Sequence, residues 1–202
     1  MQLFHVPGSP YARMVRIAVA ETGLGARVAQ AETTLRDPAS TLLPLNPVGR
    51  VPTLVLEDGT VLTETLPILL HLDTLHDGPR LVPVGDAARM AAYGRAMGMM
   101  DGVAVWNREL RRPEHERSPS VIALETTRAN RVADALERDA ARGALDQRLD
   151  AAWLALACAL GYCERRHRAW RWREGRPALS AWFDAAARRP GFADTTPPES
   201  GI

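Results

Sequence analysis

The sequence predicts an α+β chain, with a mixed four-stranded sheet and helices in residues 1–77, a linker over 78–85, and an all-helical remainder over 86–202. Three observations carry that expectation. Asp58-Gly59 separates Thr53-Leu54-Val55-Leu56 from Thr60-Val61-Leu62, the signature of a tight hairpin. Leu3-Phe4-His5-Val6 reads as a short strand stopped by Pro7-Gly8, and Ser9-Pro10 then opens a helix with a cap and a proline in its first turn. From Ala87 onward the apolar residues recur at helical spacing and no strand pattern returns.

The first helix carries Met14, Ile17, Ala18 and Glu21 to Gly23, and Val28 to Ala31 suggests a second strand. An irregular polar stretch containing Arg36-Asp37-Pro38 follows, then the hairpin, then a helix starting near Glu64. Strand, helix, strand, hairpin and helix is the thioredoxin-like arrangement, in which helices cover the faces of a mixed sheet. Asp77-Gly78-Pro79-Arg80 to Gly85 ends the apolar period and marks the linker. Arg111-Arg112-Pro113 stops a long helix, and Ser118-Pro119 starts the next, with Val121, Leu124, Val132 and Leu136 in register. Ala151 to Cys163 is apolar on every side and reads as a buried helix, well short of the roughly 20 residues that span a bilayer. Thr195 to Ile202 reads as a loose tail.

Composition narrows the function classes. A net charge of +1, 46% hydrophobic and 24% charged residues describe a soluble globular protein with no overall pull toward nucleic acid or an anionic membrane. The opening residues carry no signal-peptide pattern, so a cytoplasmic location is expected. Cys158 and Cys163 are five residues apart on one helix, about 7.5 Å along its axis, too far for a comfortable disulfide. They read as small core residues, and the scattered histidines have no metal-ligand spacing.

The chemistry concentrates in Asn46-Pro47-Val48-Gly49-Arg50-Val51-Pro52-Thr53-Leu54 and in Thr63-Glu64-Thr65 beyond the hairpin. Pro52 is tolerable only at the first position of a strand or on an edge, so it marks where the strand begins. A cis Val51–Pro52 bond, which the sequence permits, leaves the Val51 N–H and C=O facing outward, where an extended peptide can pair. This ordered run, with an acid and a hydroxyl residue at the following helix start, resembles the glutathione-binding half of the cytosolic glutathione S-transferases, in their bacterial serine-type form.

The resemblance implies a glutathione transferase and assigns roles residue by residue. Ser9 matches the serine that activates the glutathione thiol at the tip of the first helix; read locally, it is a helix cap, and one hydroxyl can accept a capping bond while donating its own proton to a sulfur. A hydrogen bond and the positive end of a helix both favour a thiolate. Val51, beside Pro52, pairs its backbone with the cysteinyl unit. Glu64 and Thr65 hold the γ-glutamyl ammonium and carboxylate; their local reading is plain capping by Thr63 or Glu64. Relatives usually have Ser where this chain has Thr65. Arg50 or Arg36 meets the glycine carboxylate, unless each is a solvated surface arginine. Tyr11 is the rival activator. Ser9-Pro10-Tyr11-Ala12 also stands where glutaredoxins carry Cys-Pro-Tyr-Cys; with both cysteines missing, dithiol exchange is excluded.

Met90, Met97 and Met100 read as a core face of the long helix, with a second reading in which Met97, Met100, Trp106, Asn107 and Tyr11 line an apolar pocket for a small hydrophobic electrophile. Relatives place a hydroxyl residue, and three positions later an aspartate, at the start of the buried helix; here Asp150 and Trp153 stand there, which keeps the cap and loses the reciprocal carboxylate. The arginines interleaved with Trp170 and Trp172 suggest nucleic acid taken alone. However, Trp172-Arg173-Glu174-x-x-Pro177-x-Leu179-x-x-Trp182 resembles the closing segment of bacterial transferases, whose tryptophans pack the core, and no nucleic-acid role is expected. The family implies a homodimer and glutathione as co-substrate with no metal. A non-catalytic relative, serving as a partner-binding or regulatory module, is the alternative.

Overall fold

The computed structural model describes residues 1–199. A four-stranded sheet has the order β2-β1-β3-β4, formed by β1 (Gln2–His5), β2 (Ala29–Glu32), β3 (Thr53–Val55) and β4 (Val61–Thr63). β1 runs parallel to β2 and antiparallel to β3, which pairs antiparallel with β4, so the sheet is mixed as expected. The strands end a residue or so from their expected limits. Leu56 and Thr60, for instance, fall outside the ladder because the Leu56 N–H to Thr60 carbonyl bond closes the Asp58-Gly59 turn there.

Helix α1 (Pro10–Glu21) buries Met14, Val15, Ile17 and Ala18 against the sheet and against α2 (Thr65–Leu72). The helical part comprises α3 (Ala87–Leu110), α4 (Pro119–Ala141), α5 (Ala151–Arg166), α6 (Pro177–Ala186) and α7 (Pro190–Asp194). Between α2 and α3, Asp73 accepts from the Leu81 and Val82 N–H groups at 2.7 and 2.9 Å, which fixes the connection to the end of α2. Helix α5 is central, with every residue from Ala151 to Gly161 buried and contacts to α1, α3 and α6. Its alanines and Gly161 let neighbours come close: a Cβ on Gly161 would stand 2.7 Å from the Arg13 guanidinium and 2.9 Å from the Phe192 ring. Trp153, Trp170, Trp172 and Trp182 are all buried in this core. The arginine-aromatic stretch therefore turns its tryptophans inward instead of offering bases a stacking surface.

Arg13 ties the two ends of the chain together. It is 2% exposed, donates to the Phe192 carbonyl at 2.7 Å and to the Thr195 hydroxyl at 3.3 Å, and lies over the Phe192 ring. Thr195 is buried, and the Pro197 carbonyl accepts from Arg165 at 2.6 Å. The expected loose tail is thus corrected through Pro197: a buried cation needs acceptors, and this segment supplies them. Residues 200–202 lie outside the described part.

His167, which closes α5, is buried edge-on against Trp106 with ring centroids 4.3 Å apart. Neither ring nitrogen has a partner among the described residues, and burial pushes its pKa from 6.5 down to about 4. The unfolded chain binds this proton near pH 6.5 and the folded chain only near 4, so acid favours unfolding across that window. Between pH 7 and pH 5 the loss is about 2 kcal/mol, to which the lowered His5 adds with the same sign. Urea unfolding at the two pH values is expected to show it, and His167→Phe, which keeps a ring against Trp106, to remove most of it. Equal stability at both pH values would contradict this account.

Candidate functional site

The sheet register gathers the functional residues at one end. Phe4 lies opposite Thr53 and Thr53 opposite Thr63, so the chain leaving β1, the chain entering β3 and the chain leaving β4 emerge side by side. Ser9 lies a few residues beyond β1, Val51-Pro52 just before β3, and Glu64-Thr65 just after β4. Phe4, Ala12, Leu42 and Val51 form one buried cluster, which packs the first turn of α1 against the Val51 segment.

Ser9 caps α1: its Oγ accepts from the Ala12 N–H at 3.2 Å. Among the described residues the hydroxyl donates to no acceptor, so its proton is available at the positive end of the helix. Tyr11 is differently engaged. Its hydroxyl donates to Asp101 on α3, and burial together with that bond raises its pKa above the ordinary tyrosine range. A phenol held this way is a poor proton donor to anything else.

The Val51–Pro52 bond is cis. Asn46 shapes the approach, its Nδ2 donating to the Arg50 carbonyl at 3.1 Å and to the Thr53 hydroxyl at 2.9 Å. Among the described residues the Val51 N–H and C=O enter no hydrogen bond, so the segment keeps an open backbone edge. Arg50 adjoins it and Arg36 lies in the loop after β2; both are exposed and neither has an ion pair among the described residues.

At the start of α2 the capping expectation is corrected. Glu64 occupies the cap position, yet its side chain makes no capping bond; the residue is exposed and has φ 63° and ψ 153°, a region nearly confined to glycine. Such a conformation costs on the order of 1–3 kcal/mol and is typical of ligand-holding positions. Thr65 is 2% exposed, and among the described residues its buried Oγ1 has no partner. A helix start with an unengaged hydroxyl, free N–H groups and an adjacent carboxylate suits a ligand carrying both an ammonium and a carboxylate.

The long helix is only partly as expected. Met97 is half-buried, but Met100, Trp106 and Asn107 are 1%, 6% and 1% exposed and belong to the core. Asn107 Nδ2 donates to the Arg166 carbonyl, and Trp106 packs on His167 and Trp170. These three are corrected from pocket to core because α3 is covered by both α4 and α5. A narrow crevice beside Ser9, too tight to hold a water molecule, is lined by Gly8, Pro10, Arg13, Cys158 and Tyr162, together with Pro197. Sequence reasoning missed Tyr162, whose place at the end of the apolar run of α5 was the available signal. Burial pushes the Cys158 thiol up to about 12, which leaves it unreactive. Among the described residues no group of three His, Cys, Asp or Glu side chains is placed to hold a metal, and no helix is long and apolar enough to cross a membrane.

Residues 3–80 match the family model described as the glutathione S-transferase N-terminal domain, and residues 119–185 the glutathione S-transferase C-terminal domain. An uncharacterized GST-like protein, YibF of Escherichia coli K12, is 30% identical over 159 residues, or 77% of this chain and 79% of its own. A glutathione transferase family member from Pseudomonas fluorescens Pf-5, solved with bound glutathione, is 34% identical over 98% of both chains with a TM-score of 0.88. With bound S-(propanoic acid)-glutathione it gives 0.86, over 98% of this chain and 100% of that one. A glutathione S-transferase from Methylobacillus flagellatus KT, solved with glutathione, is 29% identical over 97% of this chain and 98% of its own, with a TM-score of 0.88.

Proposed function

The chain belongs to the glutathione S-transferase family, and from that premise we propose that it binds glutathione at the end of its sheet and uses Ser9 to hold the sulfur as a thiolate for attack on an electrophile. The observation that carries this reading is the start of α2, where the strained, exposed Glu64 and the unpartnered Thr65 hydroxyl lie beside the open backbone of Val51. The glutathione-bound relatives support it. The γ-glutamyl ammonium goes to Glu64, its carboxylate to the Thr65 hydroxyl and N–H, the cysteinyl amide to Val51, and the glycine carboxylate to Arg50 or Arg36.

Ser9 donates a hydrogen bond to the sulfur, whose own proton passes to solvent, while its oxygen keeps the Ala12 capping bond. Moving a thiol pKa from about 8.5 to about 7 corresponds to roughly 2 kcal/mol. The thiolate attacks an electrophilic carbon, the carbon–sulfur bond forms, and the displaced group or the protonated adduct leaves as product. The relative with bound S-(propanoic acid)-glutathione shows one such conjugate in its own site. The sheet-bearing unit, 1–77, binds the tripeptide and the helical unit, 86–202, holds the electrophile. The protein acts in the cytoplasm as a homodimer, with detoxification as the general role.

Thr65→Val tests the assignment. Because the hydroxyl has no partner among the described residues, removing it is expected to leave folding stability unchanged or slightly raised, while glutathione affinity falls about tenfold in calorimetry. Unaltered affinity would contradict the assignment of Thr65, and a folded wild-type protein that binds no glutathione would contradict the function.

A further inference from the structure

The segment that carries Val51 is held by two buried polar side chains whose bonds converge on it. Asn46 is 1% exposed and Thr53 is 0% exposed. The Asn46 Oδ1 accepts from the Val48 N–H at 3.0 Å, and because a backbone N–H can only donate, this bond fixes which way the amide is turned. Its Nδ2 donates to the Thr53 hydroxyl at 2.9 Å and to the Arg50 carbonyl at 3.1 Å. Thr53 donates its own proton to the same carbonyl at 2.8 Å. The Arg50 oxygen therefore receives two donors, one for each lone pair, and every polar side-chain atom of Asn46 and Thr53 is engaged.

Thr53 opens β3, where it lies between Phe4 of β1 and Thr63 of β4, so this clamp is anchored to the sheet. What it fixes is a peptide plane. Among the described residues the only cis peptide bond is Val51–Pro52, so Arg50–Val51 is trans, and across a trans peptide the C=O and N–H point in opposite directions. Two buried donors that draw the Arg50 oxygen inward therefore turn the Val51 N–H the other way. Among the described residues that N–H enters no hydrogen bond. Without the clamp the peptide unit can rotate about its two flanking Cα atoms, which withdraws the donor.

We propose that Asn46 and Thr53 are positioning residues for the co-substrate: by holding the Arg50 carbonyl they aim the Val51 N–H at the cysteinyl carbonyl of glutathione. The inference rests on the glutathione site proposed above and adds the residues that set its hydrogen-bonding edge. Buried and fully engaged, neither side chain touches the tripeptide. Their contribution is preorganisation, because a donor already aimed does not have to be ordered when the ligand arrives.

The test compares two ligands that lack the glycine carboxylate and so leave the Arg50 and Arg36 side chains aside. Glutathione amide keeps the cysteinyl carbonyl, and γ-glutamylcysteamine has none. Their affinities are read by displacement of glutathione in calorimetry for the wild type, Thr53→Val and Thr53→Ser. Valine keeps the shape of threonine without its hydroxyl, and serine keeps the hydroxyl. The wild type and Thr53→Ser are expected to favour glutathione amide about fivefold or more, and Thr53→Val to bring the ratio below about two. A general weakening lowers both affinities and leaves their ratio alone. In the wild type the Val51 amide resonance is expected to move on binding glutathione amide and to stay in place with γ-glutamylcysteamine, a measurement that decides the matter even where Thr53→Val does not fold. An unchanged ratio in folded Thr53→Val, a Thr53→Ser that falls as far as Thr53→Val, or a Val51 resonance indifferent to the carbonyl overturns this inference alone. Equal affinity of the wild type for both ligands does the same. A folded wild type that binds no glutathione overturns the glutathione site and this inference with it.

Discussion

Ser9→Ala is expected to leave the chain folded and to slow glutathione conjugation by roughly 10- to 1000-fold, corresponding to about 1.4–4 kcal/mol of lost transition-state stabilisation. The structural cost is small, because the substitution removes one cap, a 3.2 Å bond to the Ala12 N–H, worth about 1 kcal/mol. The catalytic cost is larger, because the Ser9 proton is free to reach a sulfur while the Tyr11 hydroxyl is held by Asp101. Tyr11→Phe should therefore be much milder than Ser9→Ala. Turnover with an aryl halide, measured beside a thermal melt of each variant, decides the matter. Unchanged turnover in Ser9→Ala would remove the role.

Asp150→Ala is expected to destabilise the protein by about 3–5 kcal/mol, as breaking a buried ion pair from one side does. Asp150 is fully buried, receives both ends of the Arg89 fork at 2.7 Å, caps the Trp153 N–H at 3.0 Å and accepts from Arg148 at 3.2 Å. Removing it orphans an N–H at the start of the central helix and, among the described residues, leaves the Arg89 guanidinium with only its exposed partner Asp146. Asp150→Asn keeps a cap and should fall between. A urea-unfolding loss below about 1 kcal/mol in Asp150→Ala would show that the network is not what anchors α5.

The parts of the site that were legible in the sequence are those where the backbone itself is constrained. Ser9-Pro10 announces a helix tip, Pro52 the mouth of a strand, and Asp58-Gly59 the turn that brings Glu64-Thr65 back to the same end of the sheet. The missing reciprocal carboxylate at the start of α5 was legible too, since Asp150 caps alone at that point.

What escaped depends on contacts between distant residues. Helix α3 packs against both α4 and α5, so its apolar residues occupy more than one face, and their spacing cannot separate Met100 in the core from the half-buried Met97. Nothing in the local sequence marks Arg13 as buried; Phe192 and Thr195 close over it from the far end of the chain. The same holds for the Tyr11–Asp101 pair and for Asn107, whose amide reaches the Arg166 carbonyl where the ends of α3 and α5 meet.

The ionisation of bound glutathione bears most directly on the account. Followed by the ultraviolet absorbance of the thiolate, the sulfur in the wild-type complex is expected to titrate near pH 7, and to return toward about 8.5 in Ser9→Ala. A bound thiol that titrates near 8.5 in both proteins would contradict the claim that Ser9 and the tip of α1 hold it as an anion.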